Sequence, residues 1–184
     1  NVPRKSLTKL TDGPTEDILP LWSPDGGRVF FASNRTGTFD VYSQAADGAT
    51  SARVEYSGPG VQFPNSFTPD GKRLLIYEEF KDLVVLTLGQ PKLEPLLSTE
   101  FDERLGQVSP DGNWVAYESN ETGDKVEVFI RPLSDVSARR EKISIDGGRF
   151  PLWGPKGSDE LYYVDPDGAM MAAAVKLSPS LSLG

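Results

Sequence analysis

Short apolar runs recur along the chain, and turn-forming residues separate them. One set comprises Arg28–Phe31, Arg73–Tyr77, Trp114–Tyr117 and Glu160–Val164. A second set follows a loop later, at Asp40–Tyr42, Leu83–Leu86, Val126–Ile130 and Met170–Val175. A weaker third set lies at Ala52–Tyr56, Leu93–Leu97 and Glu141–Ile145. Ahead of each unit a single apolar residue stands in the same phase: Trp22, Phe67, Val108 and Trp153. Evenly spaced short strands with turn signals between them predict an all-β array. Met170–Val175 has helix-forming composition, but its phase matches strands elsewhere, and phase outweighs propensity.

The turns themselves repeat. Ser23-Pro24-Asp25-Gly26 returns as Thr68-Pro69-Asp70-Gly71 and Ser109-Pro110-Asp111-Gly112, with a degraded copy at Gly154-Pro155-Lys156-Gly157. A period of about 40–45 residues suits a four-stranded propeller blade, and also some helical arrays. The turn chemistry decides between them. Proline presets φ at the second position of a type I turn, aspartate tolerates the third, and glycine takes the left-handed position that follows. That is a hairpin turn with a bulge, which joins antiparallel strands. Each unit therefore reads as strand A, turn, strand B, loop, strand C, turn, strand D. Residues 1–184 form one β-propeller domain of four four-stranded antiparallel blades. The last unit lacks a clear strand D, and Ser6–Leu10 is in phase to supply it, as when the two ends of a ring share a blade.

The segment Leu21–Tyr42 carries a Trp-Ser-Pro-Asp-Gly turn, an apolar strand, Ser33-Asn34-Arg35-Thr36-Gly37 and a Val41-Tyr42 strand, and Ser119–Gly123 repeats the middle element. This pattern resembles the TolB-type, WD-like propeller repeat across nearly the whole chain. The ending, Met170–Gly184, resembles the last blade of propellers attached to bacterial sensor kinases and regulators. The resemblance implies a sensor or scaffold module, placed in the periplasm or outside the cytoplasm. Rings of this type usually have more than four blades. The four units are thus open to three arrangements: a small closed ring, an arc of a larger ring, or half of a ring completed by a second chain as a homodimer.

Composition narrows the chemistry. The chain has no Cys and no His, so thiolate metal sites, cysteine nucleophiles, Ser-His-Asp triads and histidine-ligated metals are excluded. A net charge of −8 argues against nucleic acid as a partner. No apolar run approaches the ~20 residues of a membrane span. The start at Asn1 is neither a signal peptide nor an initiator Met, so a mature product or an excerpt is expected. No cofactor or metal is expected either. Asp165-Pro166-Asp167-Gly168 lacks the further oxygen ligands of a calcium loop. The Asp of each turn is expected to cap its own turn. Asn34-Arg35-Thr36 and Asn120-Glu121-Thr122 match a glycosylation acceptor pattern, but read as polar loop residues.

Acids gather on one face. Strand order places the B–C and D–A loops together, and that set holds fifteen acids against five bases. The imbalance of −10 exceeds the −8 of the whole chain. Glu16, Asp17, Asp102 and Glu103 immediately precede strands A, the innermost of each blade, and Arg104 and Arg149 share one phase at the start of strand A. These six residues are the candidate binding set, for a basic peptide or protein. The alternative is a carboxylate-dependent glycan hydrolase or lyase, which would need two of these carboxylates facing one cavity.

Overall fold

The computed structural model describes residues 9–90, 92–177 and 181–184. These residues form sixteen strands and no helix, arranged as four separate four-stranded antiparallel sheets. Blade 1 is β1 (Asp17–Trp22), β2 (Arg28–Ser33), β3 (Asp40–Ala45) and β4 (Arg53–Tyr56). Blade 2 is β5 (Gln62–Phe67), β6 (Arg73–Glu78), β7 (Asp82–Thr87) and β8 (Leu93–Leu97). Blade 3 is β9 (Glu103–Val108), β10 (Trp114–Ser119), β11 (Glu127–Pro132) and β12 (Glu141–Lys142). Blade 4 is β13 (Arg149–Trp153), β14 (Glu160–Val164), β15 (Met170–Lys176) and β16 (Ser182–Leu183). In each sheet the strands lie in chain order.

The expected turns are present. Gly26, Gly71 and Gly112 sit at φ 69°, 69° and 78°, each donating its N–H to the carbonyl of the Ser or Thr that opens the turn. At Gly112 the neighbouring blade also matters, since a Cβ there would lie 3.2 Å from Pro69 Cδ.

Blades stack face to face. Phe67, at the end of β5, meets Phe30 of blade 1 edge-on at 4.9 Å. Val108, at the end of β9, packs with Leu75 and Val85 of blade 2. Trp153, at the end of β13, lies against the cluster that holds Ala116, Val128 and Ile130 of blade 3, and its Nε1 donates to the Gln107 carbonyl. The rule is one apolar residue per blade, inserted into the face of the blade before it. Burial of such side chains stabilises by roughly 1.5–3 kcal/mol each, so these contacts hold the array together.

The array is an open arc. Inner strands pack β1 on β5, β5 on β9 and β9 on β13, with no comparable packing of β13 on β1 among the described residues. The small closed ring is therefore not the arrangement seen. Among the described residues, both end faces carry blade-contact residues without a neighbouring blade. Trp22 is 61% exposed at one end. At the other, Leu152 pairs with Tyr162 as Leu21 pairs with Phe30, yet Leu152 is 58% exposed.

The fourth strand of the last blade comes from the C-terminal end. Leu183 pairs with Val175 and Ser182 with Lys176, which extends only along the end of β15. The expectation that Ser6–Leu10 fills this place falls largely on residues 1–8, which lie outside the described residues. Leu10 itself lies by blade 1, where its carbonyl accepts a hydrogen bond from Gln44 Nε2.

Candidate functional site

The two loop faces of the arc differ in what their acids do. On the face of the A–B turns, the aspartates are consumed locally. Asp25 accepts from Ser23 Oγ at 2.6 Å and the Gly27 N–H at 2.9 Å; Asp70 accepts from Thr68 Oγ1 at 2.6 Å and the Lys72 N–H at 3.1 Å. The hydroxyl hydrogen bonds hold both carboxyls below their ordinary range. Asp111 repeats the arrangement with Ser109 and Asn113. On the opposite face, in the B–C loop of blade 4, Asp165 accepts from the Asp167 and Ala169 N–H groups and likewise closes a turn.

On the opposite face, of the B–C and D–A loops, a second set of residues ties loops to blades. Asn34 Oδ1 accepts the Glu16 N–H and Asn120 Oδ1 accepts the Asp102 N–H, each at 3.0 Å. These two asparagines therefore clamp the entry to strand A. Asp40, Asp82 and Glu127, at the starts of the C strands, accept from Ser57, Ser98 and Ser144 respectively. Their carboxylates hold the end of strand D.

The six candidate residues meet different surroundings on this face. Glu16 is exposed, with no salt-bridge partner among the described residues. Asp17 is paired with Arg35 at 2.8 Å. Burial raises its carboxyl, but hydrogen bonds from Ser33, Thr11 and Arg35 outweigh that and hold it below the usual range. Arg35 in turn lies 4.6 Å over the Tyr42 ring. Asp102 is paired with Arg104 at 2.6 Å. Glu103 is buried, hydrogen-bonded to the Thr99 hydroxyl, and burial pushes its carboxyl up. Arg149 is exposed at the start of β13. Arg104 and Arg149 both lie within electrostatic reach of Glu118, an acid of this face outside the six candidates. Buried Glu118 accepts the Phe150 N–H, and both arginines draw its carboxyl down against a stronger rise from burial.

Each inner strand is bulged at one place. Leu19, Leu105 and Phe150 occupy it at φ 53°, 53° and 57°. A bulge re-aims side chains and costs local strain. The positive-φ residue is not a glycine in any of the three, so no glycine in that place flags the conformation in the sequence. A second strained pair is Glu79 and Phe80, at φ 54° and 59°, in the B–C loop of blade 2. Phe80 is 60% exposed and rests 5.5 Å from Phe63 and 6.2 Å from Tyr77. A hollow of about 490 Å³ on this face lies between blades 3 and 4 and is walled by Asp124, Lys125, Arg149, Phe150, Asp165 and Pro166. Neither Glu103 nor Glu118 lies on its wall. Among the described residues no group of three acids is close enough to hold a metal ion. No helix among them is long and apolar enough to cross a membrane.

A radial stack of four-stranded blades, with turn residues fixed at one face and charged loops at the other, defines a β-propeller. The chain belongs to the TolB β-propeller domain family, PD40, which matches residues 1–176. It is 25% identical over 154 residues to an uncharacterized protein of Agrobacterium fabrum, across 80% of this chain and 50% of that one. Its fold is similar to that of a putative TolB from Agrobacterium tumefaciens, with a TM-score of 0.72 and 18% identity over 88% of this chain and 62% of that one. TolB from Acinetobacter baumannii is similar at a TM-score of 0.62 and 18% identity, over 83% of this chain and 41% of that one. The chain thus spans about half the length of the curated relative it matches.

Proposed function

We propose that this chain is a non-catalytic binding or scaffold module that takes a basic peptide or a basic patch of a protein on its B–C and D–A loop face. The observation that carries this reading is Phe80, exposed beside Glu79 in a backbone conformation that both residues adopt at a cost. Strain of this kind persists where the surrounding structure enforces it, and it clusters at binding sites. An exposed aromatic flanked by carboxylates suits a cationic side chain. Exposed Glu16, Glu79 and Glu100 lie on the same face, and clustered like charge speeds capture of an opposite charge.

The glycan hydrolase or lyase reading has less support. Asp17 and Asp102 are held in ion pairs, and Glu103 is engaged by Thr99.

The test is calorimetric titration of the chain with a lysine-rich peptide at low and physiological salt. Binding should weaken steeply with salt, since exposed charges are screened over about 8–10 Å. A triple variant, Glu16→Gln, Glu79→Gln and Glu100→Gln, should bind several-fold more weakly. Equal binding by the two proteins, or binding that ignores salt, would remove this reading.

The exposed end faces support a second proposal about partners. Each end offers one half of the contact that joins neighbouring blades, so a second copy or further blades of the same type could extend the arc. Light scattering across a range of concentrations tests the homodimer: a constant monomer mass would count against it.

A further inference from the structure

Blade 2 holds its acids differently from its neighbours. Gln62, Glu78 and Asp82 are directly opposite one another on β5, β6 and β7. Opposite residues share one side of a sheet, with Cβ atoms about 5 Å apart. The three form a row at the B–C loop end of the blade. The same side of the sheet carries Leu74, Ile76, Val84 and Leu86, which pack on blade 1, so the row faces the junction of blades 1 and 2. Glu79 adds a fourth polar group there. Its Oε1 occupies the space where a Cβ on Gly60 would stand, which places its carboxylate over the loop between the blades.

Two observations single this row out. The first is an unmet hydrogen-bonding demand. Gln62 is completely buried, and neither its Nε2 nor its Oε1 has a partner. Asp82 Oδ1 is also buried and unpartnered, while Oδ2 accepts from Ser98 at 3.0 Å. Leaving a buried polar group unpaired costs about 1–3 kcal/mol, so native structures rarely tolerate it without a reason. The second is an unmet charge. Four other acids of this face are matched by bases of the chain: Asp17 by Arg35, Asp102 by Arg104, Glu121 by Arg131 and Arg140, and Glu127 by Lys142. Among the described residues no Lys or Arg forms such a pair with Glu78, Glu79 or Asp82. Burial, with Glu79 and Asp82 beside it, pushes the Glu78 carboxyl up, and the Gln62 amide tempers that rise without reaching hydrogen-bonding geometry.

The row therefore lacks both a hydrogen-bond donor and a positive charge. A metal ion would supply only the charge, and no group of three acids is close enough to ligate one. A basic side chain supplies both. Its N–H groups can reach carboxylates and the Gln62 carbonyl together, and such charge-assisted bonds are the strong ones. Phe80 at the rim offers an aromatic face for the stem or the cation.

We propose that the Gln62–Glu78–Asp82 row, with Glu79 and Phe80 at its rim, receives the side-chain cation of a lysine or arginine from a partner polypeptide. The proposal rests on the acidic-face reading above and assigns it one receiving site.

The experiment titrates the full chain with hexalysine, hexaarginine and an uncharged hexapeptide, at low salt, by calorimetry. The variants are Glu78→Gln, Gln62→Leu and, on the opposite face in the C–D turn of blade 1, Asp47→Asn. Wild type should bind one or both basic peptides and ignore the uncharged one. Glu78→Gln and Gln62→Leu should each weaken binding about tenfold, in line with the loss of a charge-assisted hydrogen bond. Asp47→Asn should change it less than about twofold. Thermal melts of the unliganded proteins provide the control for folding. Glu78→Gln should melt at or above the wild-type temperature, because it removes like-charge repulsion that only a ligand relieves. If wild type binds neither basic peptide, the acidic-face reading falls and this proposal with it. If wild type binds but Glu78→Gln and Gln62→Leu bind equally well, the face stands and the row is not its site. Displacement of the peptide by manganese or calcium at low concentration would mark a metal site and overturn the assignment.

Discussion

Trp22 and Trp153 close the innermost strands of blades 1 and 4 at the same structural position, and their surroundings are opposite. Trp153 lies in the apolar cluster between blades 3 and 4 and donates through Nε1 to the Gln107 carbonyl. Among the described residues no blade precedes that of Trp22, which is 61% exposed. One residue type in one repeat position is thus an interface anchor in one blade and an unused one in the other. The difference comes from the number of neighbours, which no residue within the blade encodes.

This contrast gives a direct stability prediction. Trp153→Ala should destabilise the chain by about 2–4 kcal/mol, since it removes a large apolar contact and leaves a cavity at a blade junction. Trp22→Ala should stay within about 0.5 kcal/mol, as exposed substitutions do. Urea unfolding midpoints measured on both variants check this. A loss at Trp22 as large as at Trp153 would mean that blade 1 is covered in solution, by a second copy or by another blade.

The turn glycines separate backbone strain from packing. Gly26 and Gly112 share nearly the same left-handed φ, so alanine should cost about 1–2 kcal/mol at either from conformation alone. A Cβ on Gly26 meets nothing within 4 Å, whereas one on Gly112 meets Pro69 Cδ at 3.2 Å. Gly112→Ala should therefore destabilise more than Gly26→Ala. Equal midpoints for the two variants would show that the turns of successive blades do not bear on one another.

Much of the fold was legible because it repeats. The Pro-Asp-Gly turn fixed the strand phase, and the phase fixed which residues join blades. Strands β8 and β15 lie where the apolar runs put them. The short β16 was not legible, because two residues of pairing leave no periodic trace. The candidate face was legible as charge, but its pairings were not. Arg35 reaches Asp17 across eighteen residues, and the Gln62–Glu78–Asp82 row assembles only through cross-strand register. One signal did exist for it. Gln62 stands in the phase of Asp17 and Glu103, so an amide stands where blades 1 and 3 carry an acid.

Loop anchoring offers a third test. Asn34 and Asn120 each accept a backbone N–H from the segment that enters strand A. Replacing either by Ala removes the acceptor and should cost about 1 kcal/mol. Hydrogen exchange should accelerate at the Glu16 amide in Asn34→Ala and at the Asp102 amide in Asn120→Ala. Unchanged protection at both amides would show that the side chains do not clamp the loops.

The buried carboxyls predict how stability follows pH. Burial raises the carboxyls of Glu78, Glu103 and Glu118 in the folded chain. A raised carboxyl favours the protonated form on folding. The charged form therefore penalises the fold, and stability falls as pH rises from the unfolded value, about 4.3, through the folded one. Asp17 acts in the opposite sense, because its lowered carboxyl contributes stability that is lost as pH falls through its folded value. Glu118 allows the first effect to be isolated. Glu118→Gln keeps a carbonyl oxygen able to accept the Phe150 N–H and removes the buried charge. It should raise the melting temperature at pH 8 and leave it nearly unchanged near pH 4, where Glu118 is already protonated. A variant that melts lower than wild type at pH 8 would show that Arg104 and Arg149 gain more from the Glu118 charge than its burial costs, and that the carboxylate is a structural ion-pair partner.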